Sequence, residues 1–147
     1  MLAACARSAD RKTPETTVPD PSSTTYAPSL GVDLGTMTRT PGGAYVRDLA
    51  PGSGEPVGPG KQVAIHYQGN LPNGTQFDAN GPADAPFVFR LGAGEVVPGF
   101  DEGITGMRVG GRRQIVMPPA LGYGSQANGP IPANSILVFT VELVSAR

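Results

Sequence analysis

Tryptophan is absent from this 147-residue chain, cysteine and histidine occur once each, and charge is sparse and balanced. A single cysteine, Cys5, excludes an internal disulfide and any cluster of thiolates for zinc, though it leaves the redox compartment open. His66 has no second histidine and no cysteine near it, so the clusters that metal sites and acid–base relays need are missing and no metal or cofactor is expected. With 11 basic and 12 acidic residues, the net charge is −1, and neither sign forms a block. Arg112 and Arg113 are the only adjacent arginines, and strand alternation sends them to opposite faces. Recognition of nucleic acid through a basic patch is therefore disfavoured. No run approaches the ~20 apolar residues of a membrane-spanning helix. The glycine-rich spots, GAGE and VGG, lack the lysine of a phosphate loop and read as turns.

What the chain does contain is enough for one domain with one core: 39% of its residues are hydrophobic and 16% charged. Residues 94 to 124 read as a loop, a short helix and a strand. Pro98 suits a first helical turn, with Asp101 and Glu102 most simply read as helix N-terminal charges on a solvated face. Phe100, Ile104 and Met107 follow at helical spacing, and Gly106 can close the helix. Strand-like runs with period-two alternation flank this helix. Val63, Ile65 and Tyr67 share one face, as do Phe87, Phe89 and Leu91. The last run places Leu137, Phe139, Val141 and Leu143 opposite Thr140 and Glu142. Pro72-Asn73-Gly74 signals a hairpin, since Asn-Gly accepts the positive φ of tight turns. The expected fold is α+β, a twisted antiparallel sheet forming a half-barrel around one short α-helix.

The first 30 residues differ in character. They are rich in proline, serine, threonine and charge without apolar periodicity, and read as a disordered tether, 1–30, ahead of a folded domain, 31–147. Residues 31 to 43 read as a transition, with a turn at Pro41-Gly42-Gly43 before a first strand. Ahead of the tether, Leu2-Ala3-Ala4-Cys5 resembles the lipobox at which bacterial lipoprotein precursors are acylated, although no apolar stretch precedes it here. The expectation is an exported protein, lipid-anchored to the membrane through Cys5. A free thiol in a cytoplasmic protein is the alternative.

Four separated segments, VAIHYQGNLPNGTQFDAN, PFVFRLGAGEVVPGFDEGITGM, VGGRRQIVMPPALGYG and IPANSILVFTVEL, resemble in order and spacing the FKBP-type peptidyl-prolyl cis-trans isomerases. The resemblance covers roughly residues 40 to 147, and its specificity lies in several motifs agreeing at once. It implies a prolyl pocket walled by Tyr67, Phe77, Phe87 and Phe139 and floored by Phe100, where many members carry tryptophan. Val96, Val97 and Ile131 would complete the lining. The Val97 backbone N–H and the Tyr123 hydroxyl would bond ligand carbonyls, and Asp78 would sit at the edge. In the family an arginine often follows that aspartate closely. Ala83 stands there, so the usual ion pair is lost and Arg90 or a tyrosine hydroxyl is left to replace it. The SQANGP loop after Tyr123 is one residue shorter than in familiar small members, and no added domain interrupts Leu71 to Phe87.

Rotation about an Xaa-Pro amide breaks no bond to carbon, so no nucleophile is required. Its barrier of ~18–20 kcal/mol reflects lost C–N resonance. A dry apolar cup for the twisted amide, with one or two donors to hold the peptide, is what the transition state needs. The resemblance therefore implies a cofactor-free, monomeric isomerase acting on proline-containing unfolded or nascent chains and binding macrolides of the rapamycin type. Two alternatives stay open: a binding or chaperone module that turns over poorly, and a surface protein with a vestigial pocket. Phe87, Phe89, Phe139 and Val97 would equally suit a purely structural core, and Asp78 would equally suit a turn.

Overall fold

The computed structural model describes Pro21, Thr24 and residues 26–81, 85–127, 129 and 131–147. Cys5, Ala83 and most of the tether lie outside the described residues. Seven antiparallel strands form one sheet: β1 (Thr38–Arg39), β2 (Tyr45–Ala50), β3 (Gln62–Asn70), β4 (Gln76–Asn80), β5 (Phe87–Arg90), β6 (Arg112–Met117) and β7 (Leu137–Ala146). Among the described residues there is one α-helix, α1, spanning Pro98–Ile104. The sheet order is β1-β2-β6-β7-β3-β4, and β5 pairs with β3 beside β4. Thus β3 carries β5 on its first half, Val63 opposite Phe89, and β4 on its second, Tyr67 opposite Asn80. The expected half-barrel around one helix is the observed fold.

Alternation decides which side chains enter the barrel. Val63, Ile65, Ile115, Met117, Leu137, Val141 and Leu143 have no exposed surface, and with Ile104 and Met107 they form the main core. The helix lies close on the sheet because Gly99 and Gly103 face it. A Cβ on Gly103 would come within 2.7 Å of Ile115 Cδ1, and one on Gly99 within 2.6 Å of Met117 Cε. Side chains at these two positions would lift the helix off β6.

Asp101 and Glu102 do more than carry charge on a solvated face, the simplest reading of the sequence. Asp101 accepts the backbone N–H groups of Gly92 at 2.8 Å and Gly94 at 3.3 Å, which pins the loop before the helix. Glu102 Oε1 accepts the Thr40 hydroxyl at 2.7 Å and the Gly42 N–H at 3.0 Å, tying the β1–β2 hairpin to the helix. At the other end, Arg113 Nη1 donates to the carbonyls of Gly103 and Thr105 while its Nε meets Asp48 at 2.8 Å. A cation on the last carbonyls of a helix satisfies groups that have no partner within it.

The hairpin at Pro72-Asn73-Gly74 is present, with a different turn from the one Asn-Gly suggests. Only Gly74 has positive φ, at 94°; Asn73 instead accepts the Thr75 N–H at 2.9 Å through its side chain. Gly74 N–H bonds Leu71 and Leu71 N–H bonds Thr75, a three-residue loop that ends on its glycine.

Residues 26–37 form a strap across the sheet. Tyr26, Leu30, Val32, Leu34 and Met37 pack on Val116, Ile136 and Val138, on the sheet face turned away from the helix. This strap is held by polar contacts. Gln114, 3% exposed, donates to the Leu30 carbonyl at 2.7 Å, and Arg47 reaches Gly31, Thr36 and Gln114. Val116 and Val138 are apolar residues on the outward face, and their need for cover draws in the segment read as a tether and transition.

Gly103→Ala places a methyl group against Ile115. Overpacking costs about 1–3 kcal/mol, against about 1 kcal/mol gained in helix propensity, so the urea midpoint should fall. Adding Ile115→Val, which removes the nearest methyl, should recover part of the loss in a double-mutant cycle.

Candidate functional site

Inside the open end of the half-barrel is a cleft of about 310 Å³. Its walls are Tyr67 from β3, Phe77 from β4, Phe87 from β5 and Phe139 from β7, with Phe100 of α1 beneath them. All five phenylalanines of the chain and Tyr67 form one connected set of rings. The closest pair is Phe100 with Phe139, edge to face at 4.6 Å and 76°. Tyr67 stands edge-on to Phe87, Phe100 and Phe139 at 6.0–6.2 Å. Such edge-to-face arrangements direct ring faces and edges into fixed positions, each pair contributing about 0.5–1.5 kcal/mol beyond its buried area.

Val96 and Val97 lead into the helix and complete the apolar lining. Val97 is extended at φ −59°, ψ 147°, and its carbonyl accepts the Phe100 N–H at 2.9 Å, so the backbone of this residue is fixed by the helix it begins. Asp78, Glu95 and Tyr123 form the polar part of the lining. The Tyr67 hydroxyl donates to Asp78 Oδ2 at 3.0 Å, and the Ala79 N–H reaches Asp78 Oδ1 at 2.8 Å. The partner of Asp78 is thus a tyrosine hydroxyl, whereas Arg90 gives its backbone N–H to Glu95 at 2.9 Å.

Nine of the residues singled out from the sequence therefore meet in one cleft: Tyr67, Phe77, Asp78, Phe87, Val96, Val97, Phe100, Tyr123 and Phe139. Ile131 is placed differently. It is 5% exposed within the main core and is not among the residues that line the cleft. His66 points to the opposite face of β3, where Nδ1 pairs with Asn80 Oδ1 at 2.8 Å. Two residues were not anticipated. Glu95 supplies a second carboxylate, and its motif, GEVVPG, gives no hint that the acid faces the cleft. Gly69, mid-strand in β3, leaves room for two walls: a Cβ there would lie 2.7 Å from both Phe77 Cζ and Phe139 Cε1. A glycine inside a strand pattern is itself a signal of close approach.

Burial first, then the hydrogen bond to Asp78 and its charge, and then Tyr123 push the Tyr67 hydroxyl up from 10.0 to about 12. Tyr67 is therefore a neutral donor to Asp78 throughout the neutral range. A raised folded-state value means that this stabilisation is complete below pH ~10 and is lost as pH rises towards 12.

The result is an aromatic cup at the mouth of a half-barrel, with carboxylates and a phenol at its rim. The chain belongs to the FKBP-type peptidyl-prolyl cis-trans isomerase family, whose model matches residues 53–144. It is 42% identical over 104 residues to an FK506-binding protein of Neisseria meningitidis, covering 70% of this chain and 95% of that one. With FK506-binding protein 3 of Candida albicans it shares 50% identity over 106 residues, 72% of this chain but 25% of that one. The chain thus spans about a quarter of that fungal relative's length. Among solved structures, AtFKBP13 superposes with a TM-score of 0.69 at 33% identity, covering 76% of this chain and 98% of that one. FkpA from Escherichia coli gives the same TM-score at 34% identity, covering 76% and 52%.

Ultraviolet titration of the tyrosines should show a step near pH 12 that Tyr67→Phe removes. Asp78→Asn should move that step towards 10, since it takes away the negative charge that opposes ionisation. An unmoved step in Asp78→Asn would mean that the Asp78 charge does not contribute to the value.

Proposed function

We propose that this chain accelerates cis–trans rotation about Xaa-Pro peptide bonds without a covalent intermediate, and so assists the folding of proline-containing chains. The observation that carries the reading is the cleft itself, six rings and two valines around a space of about 310 Å³, the scale of a prolyl ring with its flanking amides. In this reading the pyrrolidine ring rests on Phe100 between Tyr67, Phe77 and Phe139. The amide before it twists in surroundings that exclude water. As C–N resonance is lost, the nitrogen pyramidalises and the carbonyl gains single-bond geometry, and a dry apolar wall costs this state less than the planar amide loses on leaving water. The Val97 N–H and the Tyr123 hydroxyl bond the peptide carbonyls and hold the proline at depth. Asp78, fixed by Tyr67, orients polar groups at the edge. Each ~1.4 kcal/mol removed from the barrier is worth tenfold in rate.

The names of the relatives, FK506-binding proteins, support a second property of the same cleft, the binding of macrolides like FK506. Location is proposed on the sequence alone. Cys5 in Leu2-Ala3-Ala4-Cys5 is taken as the site of acylation in an exported protein, and incorporation of labelled palmitate that Cys5→Ser abolishes would support this; equal labelling of both would refute it.

Protease-free exchange of a short Leu-Pro peptide, followed by NMR, tests the activity. Acceleration that rapamycin abolishes is the expected result, and Tyr123→Phe should weaken macrolide binding by about tenfold, the scale of one hydrogen bond. Tight macrolide binding without acceleration would make the chain a binding module instead.

A further inference from the structure

Charge around the cleft has one sign. Two of its lining residues, Asp78 and Glu95, are carboxylates, and none is basic. Their hydrogen bonds among the described residues come from a phenol and from backbone amides. Arg90, the basic residue nearest Glu95 in sequence, meets it through the backbone, and its side chain is outside the lining. The bordering sequence offers no compensation. From Pro118 to Ser135, a stretch that includes Tyr123, no residue carries a charge of either sign. Between Asn80 and Phe87 the sequence holds no lysine or arginine.

Two rings at the rim add a second feature. Phe87 is 38% and Tyr123 37% exposed, so each presents ring surface to solvent beside the carboxylates. Exposed ring faces attract cations, guanidinium groups above all. An apolar cup for the proline is thus bordered by acceptors for a positive neighbour.

We propose, on the basis of the isomerase reading above, that this cleft selects Xaa-Pro segments with lysine or arginine directly beside the proline and disfavours acidic residues there. The cup takes the ring, which every prolyl substrate shares, and the rim discriminates between neighbours. Both carboxylates are solvent-exposed, so the attraction acts across water and is screened by salt.

The test uses the full chain and NMR exchange on two peptide panels, one varying the residue before proline and one the residue after it, among Lys, Arg, Leu and Glu. In at least one panel kcat/KM should favour Lys over Glu by roughly three- to tenfold at low ionic strength, shrinking towards parity in high salt. Glu95→Gln retains an oxygen for the Arg90 N–H, and Asp78→Asn retains one for Tyr67; each should reduce the Lys-to-Glu ratio. A ratio near one in both panels, or one unmoved by salt and by both substitutions, overturns the proposal. Leu-Pro exchange in the same samples separates the two readings. Turnover of Leu-Pro without charge preference rejects the selectivity alone, whereas no turnover of any peptide rejects the isomerase reading and the selectivity with it.

Discussion

The separation of α1 from β6 is the dimension on which the cleft depends. Gly99 and Gly103 sit one helical turn apart and bring the helix backbone down onto Met117 and Ile115, where even a methyl group would collide. At that height Phe100 meets Phe139 at 4.6 Å and stands within 6.0 Å of Tyr67. A helix raised by a side chain would carry Phe100 with it and change the depth of the cup. The glycines are unfavourable for a seven-residue helix on propensity, so packing rather than local preference holds it in place.

Such a short helix needs to be fixed at both ends, and the polar residues around it serve that purpose. Asp101 gathers the amides of the preceding loop, Glu102 holds the β1–β2 hairpin, and Arg113 collects the carbonyls at the far end. The Glu102 contacts reach an element distant in sequence, while those of Asp101 and Arg113 tie the helix to its flanking loop and strand, so together they fix position as well as satisfy polar groups. The Tyr67–Asp78 bond does the same at the cleft, joining β3 to β4 across its mouth. With burial and a carboxylate both opposing ionisation, Tyr67 remains a donor over the whole physiological range.

The sheet has two apolar faces of unequal extent, which explains the strap. Its concave face is filled by the helix and main core, while its convex face is mostly polar, with Gln68, Thr140 and Glu142 outward. Val116, Val138 and Ile136 break that pattern at one end, and residues 26–37 cover them. The buried amide of Gln114 then finds the Leu30 carbonyl, which a strap in another register would not offer. Small domains gain substantially from each added buried cluster, because so much of their surface remains exposed.

Alternation in the β3, β5 and β7 runs was enough to predict the inward faces, and the motif order was enough to predict the family and nine of the residues that meet in the cleft. Those features are local, or are carried by spacing along one strand. The sequence alone placed Asp101 and Glu102 near a helix start, but their partners, Gly92, Gly94, Thr40 and Gly42, come from turns whose return to the helix only packing decides. Gly69 and Glu95 escaped notice for the same reason: one matters through rings on two other strands, the other through the direction of a loop. The packing of the strap is not legible in the sequence, because its apolar residues lack a period and burial on an outside surface requires none. Period, turn chemistry and composition determined which elements form; the distance between helix and sheet, the closure of the rings into one cup and the covering of the outer face were decided only when those elements packed, since each depends on contacts between residues far apart in the chain.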